Sequence, residues 1–166
     1  MRTPVFELHI QPMIRAMDRE HMRFAFDLWD YEQLVQHADD FAARVAVDMP
    51  PANSGGPWPD EWVQIFRRWM STGFKRLELG SAQYTWNQTS TAVTIRANGS
   101  YPASGYKGWL QLESETETAK NFVLYLEAPD NPTGGTPEAF NISERYSATD
   151  NRSIFIRDIS GINQIH

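Results

Sequence analysis

His21 stands three residues after Asp18 and six before Asp27. A histidine near carboxylates can act as a general base or bind a metal. Asp18, His21 and Asp27 are therefore the candidate acid–base residues if the chain is an enzyme. Their spacing argues against a metal, because no pair of strong ligands falls at the HxxxH or HxxE intervals that zinc and di-iron sites on helices require. No Ser–His–Asp set and no phosphate-cradling glycine loop is present either. The alternative for His9, His21 and His37 is an ordinary role on helix surfaces. Further along, Glu113, Glu115 and Glu117 alternate. Paired carboxylates can hydrolyse glycosides, but charge protecting an exposed strand edge is the commoner cause of this pattern.

Aromatic residues supply the second set of candidates. Phe24 to Tyr31 reads FAFDLWDY, and its Trp29 can form a wall of an apolar ligand pocket or seal the core. Core packing is the usual employment of such residues. Trp58 lies in a proline-rich segment. Tyr84, Trp86, Tyr101, Tyr106 and Trp109 can form a stacking platform for sugars, or point inward from alternating strands. The ligand-binding candidates are thus Trp29, Trp58, Trp86, Tyr106 and Trp109.

Composition narrows the class of partner. Of the 166 residues, 41% are apolar and 13% aromatic, enough for a packed core and against disorder. Fifteen basic residues face 21 acidic ones, for a formal charge of −6. Arg67, Arg68, Lys75 and Arg76 are the densest basic group, too few for a phosphate-binding face, so nucleic acid is not an expected partner. Zero cysteines remove disulfides, thiolate catalysis and zinc–thiolate sites together. No run near the N-terminus suits a signal peptide, and none approaches the roughly 20 apolar residues of a membrane span. The expectation is a cytoplasmic protein without membrane partners. Four Asn-x-Ser/Thr sequons, at Asn87, Asn98, Asn141 and Asn151, read as chance matches in a chain rich in these residues.

The elements that must carry these residues change character near position 74. Pro12 is placed to open a helix containing Met13, Ile14, Met17, His21 and Met22. Asp30 and Gln33 form a capping-box pattern. Leu34, Val35, Ala38, Phe41, Ala42 and Val45 then make one apolar stripe, which predicts a single helix. Asp48 to Pro59, with four prolines and two glycines, must break it. Asp60 is placed to cap a third helix bearing Trp62, Val63, Phe66, Trp69 and Met70, which Gly73 ends.

Beyond Phe74 the period is two: Leu77/Leu79, Tyr84/Trp86 and Val93/Ile95/Ala97. Trp109 to Glu113, Phe122 to Glu127, Phe140/Ile142 and Ile154 to Ile156 complete six or seven short strands. Turns are expected at Asn98-Gly99, at Ser104-Gly105 and over Pro129 to Pro137. The pattern predicts an antiparallel sandwich or open barrel. The fold class is thus α+β, with a helical unit over 1–74 and an antiparallel β unit over 75–166 that shares a core with the first.

The helical half resembles a bacterial c-type cytochrome domain over Phe6 to Phe74. Ile10-Gln11-Pro12 resembles the start of that family's pattern, and Met49-Pro50-Pro51 the loop whose methionine is an axial iron ligand. Trp58-Pro59-Asp60-Glu61 through Gly73 resembles the closing helix. Where the family carries its haem-attachment CxxCH, this chain has Asp18, His21 and Met22 in the positions of the two cysteines and the histidine. Covalent haem is impossible; noncovalent haem held by His21 and Met49 is the lesser alternative, and no cofactor is expected. The resemblance implies a cytochrome-c-like helical fold without its redox chemistry.

The functional expectation is a non-redox accessory or interaction module, a companion to a larger enzyme, taking a protein partner or a small apolar or aromatic ligand. The first alternative is a small cofactor-independent enzyme with an apolar pocket between the halves, since a pocket assembled from distant segments leaves no local motif. The second is a carbohydrate-binding module.

Overall fold

The computed structural model describes residues 2–131, 134–147 and 151–166. The chain divides into two compact units, Met1–Arg76 and Leu77–His166.

The first unit begins with a turn of π-helix, Phe6–Ile10, followed directly by a 3₁₀ turn, Gln11–Met13. Pro12 therefore belongs to a short tight turn and does not open the following helix. That helix, α1 (Ala16–Met22), starts after Arg15, with no side-chain cap. Next come α2 (Tyr31–Gln36) and α3 (Ala38–Val45). The stripe from Leu34 to Val45 is thus split at His37, whose backbone (φ −108°, ψ 16°) leaves helical geometry for one residue. The His37 ring stacks on Phe26 with centroids 4.4 Å apart. A 3₁₀ turn, Ala52–Ser54, interrupts the proline-rich loop before α4 (Asp60–Ser71).

Two caps explain where these helices begin and end. Asp30 accepts a 2.9 Å bond from the Gln33 N–H, as the capping pattern predicts. The Gln33 amide oxygen does not return to Asp30, however, and accepts from Asp27 N–H at 2.8 Å. Asp60 is the first helical residue of α4 and does not cap it; Pro59 holds the cap position. Asp60 and Glu61 there stabilise the positive end of the helix dipole. The far end is a Schellman motif. Phe74 N–H reaches Trp69 C=O at 3.0 Å, and Gly73 N–H reaches Met70 C=O at 3.2 Å. Gly73 takes the left-handed φ of 87°, and Phe74 follows at 58°. That strained phenylalanine is held by its ring, edge-on to Trp69 at 5.0 Å, and by Tyr31 Oη donating to its carbonyl at 2.7 Å. Trp69 itself is fully buried among Phe6, Ile10, Leu34 and Phe66, with Nε1 donating to Lys75 C=O at 2.8 Å.

Among its described residues the second unit has eight strands: β1 (Glu78–Leu79), β2 (Ala82–Gln88), β3 (Ala92–Tyr101), β4 (Lys107–Glu115), β5 (Ala119–Glu127), β6 (Glu138–Ser147), β7 (Ser153–Asp158) and β8 (Gly161–Gln164). One sheet pairs β2, β3 and β6, all antiparallel. The other is centred on β5, which pairs β4 and β1 antiparallel and β7 in parallel; β8 closes the far edge on β7. The sheets are antiparallel, as the strand pattern predicts, except for the parallel β5–β7 pair. Val93, Ile95, Ala97 and Phe140 from one sheet share a buried cluster with Leu110, Phe122, Leu124, Leu126, Ile154 and Ile156 from the other.

Asn98-Gly99 is not a turn. It lies within β3, where Gly99 pairs with Ala82 on one side and Phe140 on the other. A Cβ at Gly99 would fall on the Ser81 carbonyl oxygen and 2.6 Å from Phe140 Cζ, so close backbone approach explains the glycine. Gly105 does turn the chain, with φ 87°. The Pro129–Pro137 segment connects β5 to β6, and its residues 132 and 133 lie outside the described residues.

Candidate functional site

Asp18, His21 and Met22 fall at i, i+3 and i+4 of α1, which brings them to one helical face. That face looks into a small cleft, together with Met49, Pro50 and Pro51 from the loop and Trp58 at its end. Ile14, Leu28, Phe41 and Val45 complete an otherwise apolar lining. The loop is held there by backbone bonds to the end of α3: Met49 N–H to Arg44 C=O and Trp58 N–H to Val45 C=O, both 2.9 Å. A side-chain latch adds to this. Arg15 grips Asp18 through two bonds of 2.7 and 2.8 Å and donates to Ser54 C=O at 2.7 Å.

A second, larger hollow adjoins the cleft across Pro50 and Trp58. Its volume is about 210 Å³, and its walls include Arg15, Pro57, Pro59 and Trp62 with Gly55 and Gly56. Trp58 is nearly buried and meets Trp62 edge-to-face at 5.7 Å and Phe41 at 5.4 Å. These contacts fix the indole as a rigid wall between the two hollows. Gly55 has φ 108°, and a Cβ there would sit 2.8 Å from Arg15 Nη1. Glycine thus lets the guanidinium lie flat against the loop.

The acid–base trio is not assembled. Asp18 and His21 line the cleft, but Asp27 is turned to Arg19, in two bonds of 2.6 Å each, and accepts from Trp29 N–H at 3.0 Å. The Arg19 bonds, aided by the Trp29 N–H, hold its carboxyl down at about 2 against the opposing effect of burial. A carboxylate so committed is a poor proton acceptor near neutral pH. Trp29 is likewise occupied: Nε1 donates to Ile14 C=O at 3.0 Å, and the Arg19 guanidinium lies 4.6 Å over its ring.

The aromatic residues of the β unit do not form one platform. Tyr84, Trp86, Tyr101 and Tyr106 lean against the buried cluster shared by the sheets. Trp86 meets His166 at 3.9 Å, and Tyr106 stacks on Tyr101 at 6.4 Å. Tyr84 Oη donates to the buried Asp158 at 2.7 Å; burial, then that carboxylate, push the phenol above its ordinary pKa. Trp109 alternates with the buried Leu110, so it faces the opposite side of its sheet, beside Tyr125 at 6.3 Å.

The glutamate series is also dispersed. Glu113 pairs with Arg157 at 2.6 Å, and Glu115 with Lys120 at 2.8 Å and Arg152 at 3.1 Å. A register shift between Leu112 and Ser114 breaks the alternation, and Glu117 lies beyond the end of β4, in the turn to β5. Since β4 pairs with β5 alone among the described residues, these charges lie on a sheet edge.

The residues fit haem poorly. Both thioether cysteines are absent, and the cleft that His21 and Met49 share has about 40 Å³ of free volume. That is room for about three waters, whereas sites that bury a cofactor run to roughly 300–1,000 Å³. Among the described residues, no three His, Asp or Glu side chains are grouped to hold a metal ion. No helix among them is long and apolar enough to cross a membrane.

Comparison of the chain with protein-family models, with curated proteins and with solved structures finds no match.

The cleft unites His21, Met49 and Trp58, whereas sequence reasoning brought His21 and Met49 together only as axial ligands of a noncovalent haem and singled out Trp58 separately as an aromatic candidate. It missed the Trp62 side of the hollow, for which Pro57, Pro59 and the paired glycines were the available signal.

Proposed function

We propose that this chain is a non-redox interaction module, built as a haem-free, cytochrome-c-like helical unit followed by a β-sandwich. Its recognition element is the hollow walled by Trp58 and Trp62. The occupant is an apolar or aromatic group, offered by a small ligand or by a side chain of a protein partner, consistent with an accessory role beside a larger enzyme. The observation that carries this reading is the rigid indole of Trp58 dividing two adjoining hollows. Preformed, mostly apolar concavities with a few polar groups are the usual form of a binding site. The capture of Asp27 by Arg19 weighs against the enzymatic alternative. The scatter of Trp86, Tyr106 and Trp109 weighs against the sugar-binding one.

Titration of ¹⁵N-labelled protein with indole and with phenol tests the reading. Saturable shifts of the Trp58 and Trp62 indole N–H signals are expected, and they should be lost in Trp62→Ala. Shifts confined to Trp86 or Trp109 would move the site to the β unit, and ester hydrolysis that depends on His21 would restore the enzyme. The protein should be colourless when purified from cells. An intense Soret band abolished by His21→Ala or Met49→Ala would overturn the haem-free reading.

A further inference from the structure

The smaller cleft contains a donor set that the interaction reading does not use. His21 and Met22 project from one face of α1, and Met49 from the loop opposite, into the same 40 Å³ space. Met22 and Met49 are half-buried, while His21 is exposed at the cleft mouth. Two thioethers and one imidazole are a soft set. Thioethers have little affinity for hard cations and select monovalent copper, which imidazole also suits. The one carboxylate in the cleft, Asp18, is already held by both arms of Arg15. That pairing withdraws the hard oxygen donor that zinc, calcium or magnesium would need. It also leaves the local charge balanced, so a single positive charge meets no uncompensated cation. Phe41, Val45 and Trp58 supply an apolar surround. The free volume suits an ion with one or two waters and excludes a macrocycle.

We propose that Met22, Met49 and His21 form a binding site for Cu(I), with the metal held near the mouth of the cleft between α1 and the Met49-Pro50-Pro51 loop. Methionine side chains are flexible enough to close on an ion without moving the backbone. The proposal concerns binding alone, with no change of oxidation state, and is independent of the Trp62 hollow.

The test is an anaerobic titration of the full chain with Cu(I) against the chromogenic chelator bicinchoninate, with Ag(I) as a redox-inert probe for NMR. One equivalent of Cu(I) should be withdrawn from the chelator. Ag(I) should shift the ε-methyl signals of Met22 and Met49 and leave that of the exposed Met17 in place. Met22→Leu and Met49→Leu conserve volume, so their circular dichroism should be unchanged. Each should weaken Cu(I) binding at least tenfold, and His21→Asn should weaken it as well. The site is refuted if the Met22 and Met49 methyl signals do not move, if both leucine variants bind as the parent does, or if Zn(II) displaces Cu(I) at equal concentration.

Discussion

Asp27→Asn is the sharpest test of the claim that Asp27 is structural. In the folded chain its carboxyl is lowered from an ordinary 3.8 to about 2, chiefly by the two Arg19 bonds and secondarily by the Trp29 N–H, against burial. A shift of nearly two units corresponds to a ceiling of about 2.4 kcal/mol, at 1.36 kcal/mol per unit. Side-chain exposures of 31% for Arg19 and 24% for Asp27 leave the pair partly screened. The expected contribution is therefore about 1–2 kcal/mol. The sign follows from the depressed value. The folded state favours the ionised form, so this stability is complete above the unfolded pKa and disappears as pH falls from about 4 through 2. Asparagine keeps the shape and an acceptor for Trp29 N–H but removes the charge. Urea unfolding of parent and variant at pH 7, 4, 3 and 2 should give a difference of about 1–2 kcal/mol that shrinks toward zero at the lowest pH. A difference that does not depend on pH, or none at pH 7, would refute the ion-pair argument and return Asp27 to the list of available acids and bases.

Other substitutions probe the packing. Gly99→Ala should cost about 1–3 kcal/mol in chemical denaturation, because its Cβ meets the Ser81 backbone and the Phe140 ring. Gly134→Ala, with nothing within 4 Å, should be neutral or slightly stabilising. Tyr84→Phe should lower stability by about 1–3 kcal/mol, since the buried Asp158 carboxylate loses the Tyr84 hydroxyl while keeping the 2.8 Å bond from Ser160 N–H. Met49→Leu should cost less than about 1.5 kcal/mol. Met49→Ala, from a half-buried position against the helical core, should cost about 2 kcal/mol, near the low end of the usual range.

The sequence was most legible where one physical rule decided the outcome. The apolar stripe of α4 and the glycine at its end are read directly, as is the Asp30 cap. It was least legible where tertiary contacts overruled a local signal. Asn98-Gly99 is a strong hairpin dipeptide, yet the crowded approach of β2 and Phe140 demands glycine in mid-strand. The stripe through Leu34 and Val45 carries no mark of the break at His37, which coincides with the stacking of that ring on Phe26. β8 was overlooked because Gly161–Gln164 is short and exposed, without the alternation that reveals a strand. Parallel pairing of β5 with β7 leaves no local trace, since the partners are far apart in sequence. At the site, each lining residue is visible in the sequence, but convergence depends on the backbone bonds that fold Met49 and Trp58 onto α3.

The position of β5 has a consequence for the order in which the chain is made. Its left and right edges are both hydrogen-bonded, and one of those neighbours is β7, which follows only after β6 and the loops around it. During synthesis the Ala119–Val123 part of that edge therefore waits unpaired until residue 158 has left the ribosome, while β1 already pairs with Tyr125 and Leu126. Phe122 and Val123 within that stretch are apolar, so the interval exposes a short template for pairing between chains. Charge along β4 guards the edge that stays exposed in the finished fold, whereas Lys120 is the one charged residue of β5 on the stretch that awaits β7. Chains truncated after β6 should consequently be recovered as aggregates, whatever the condition of the helices that precede them.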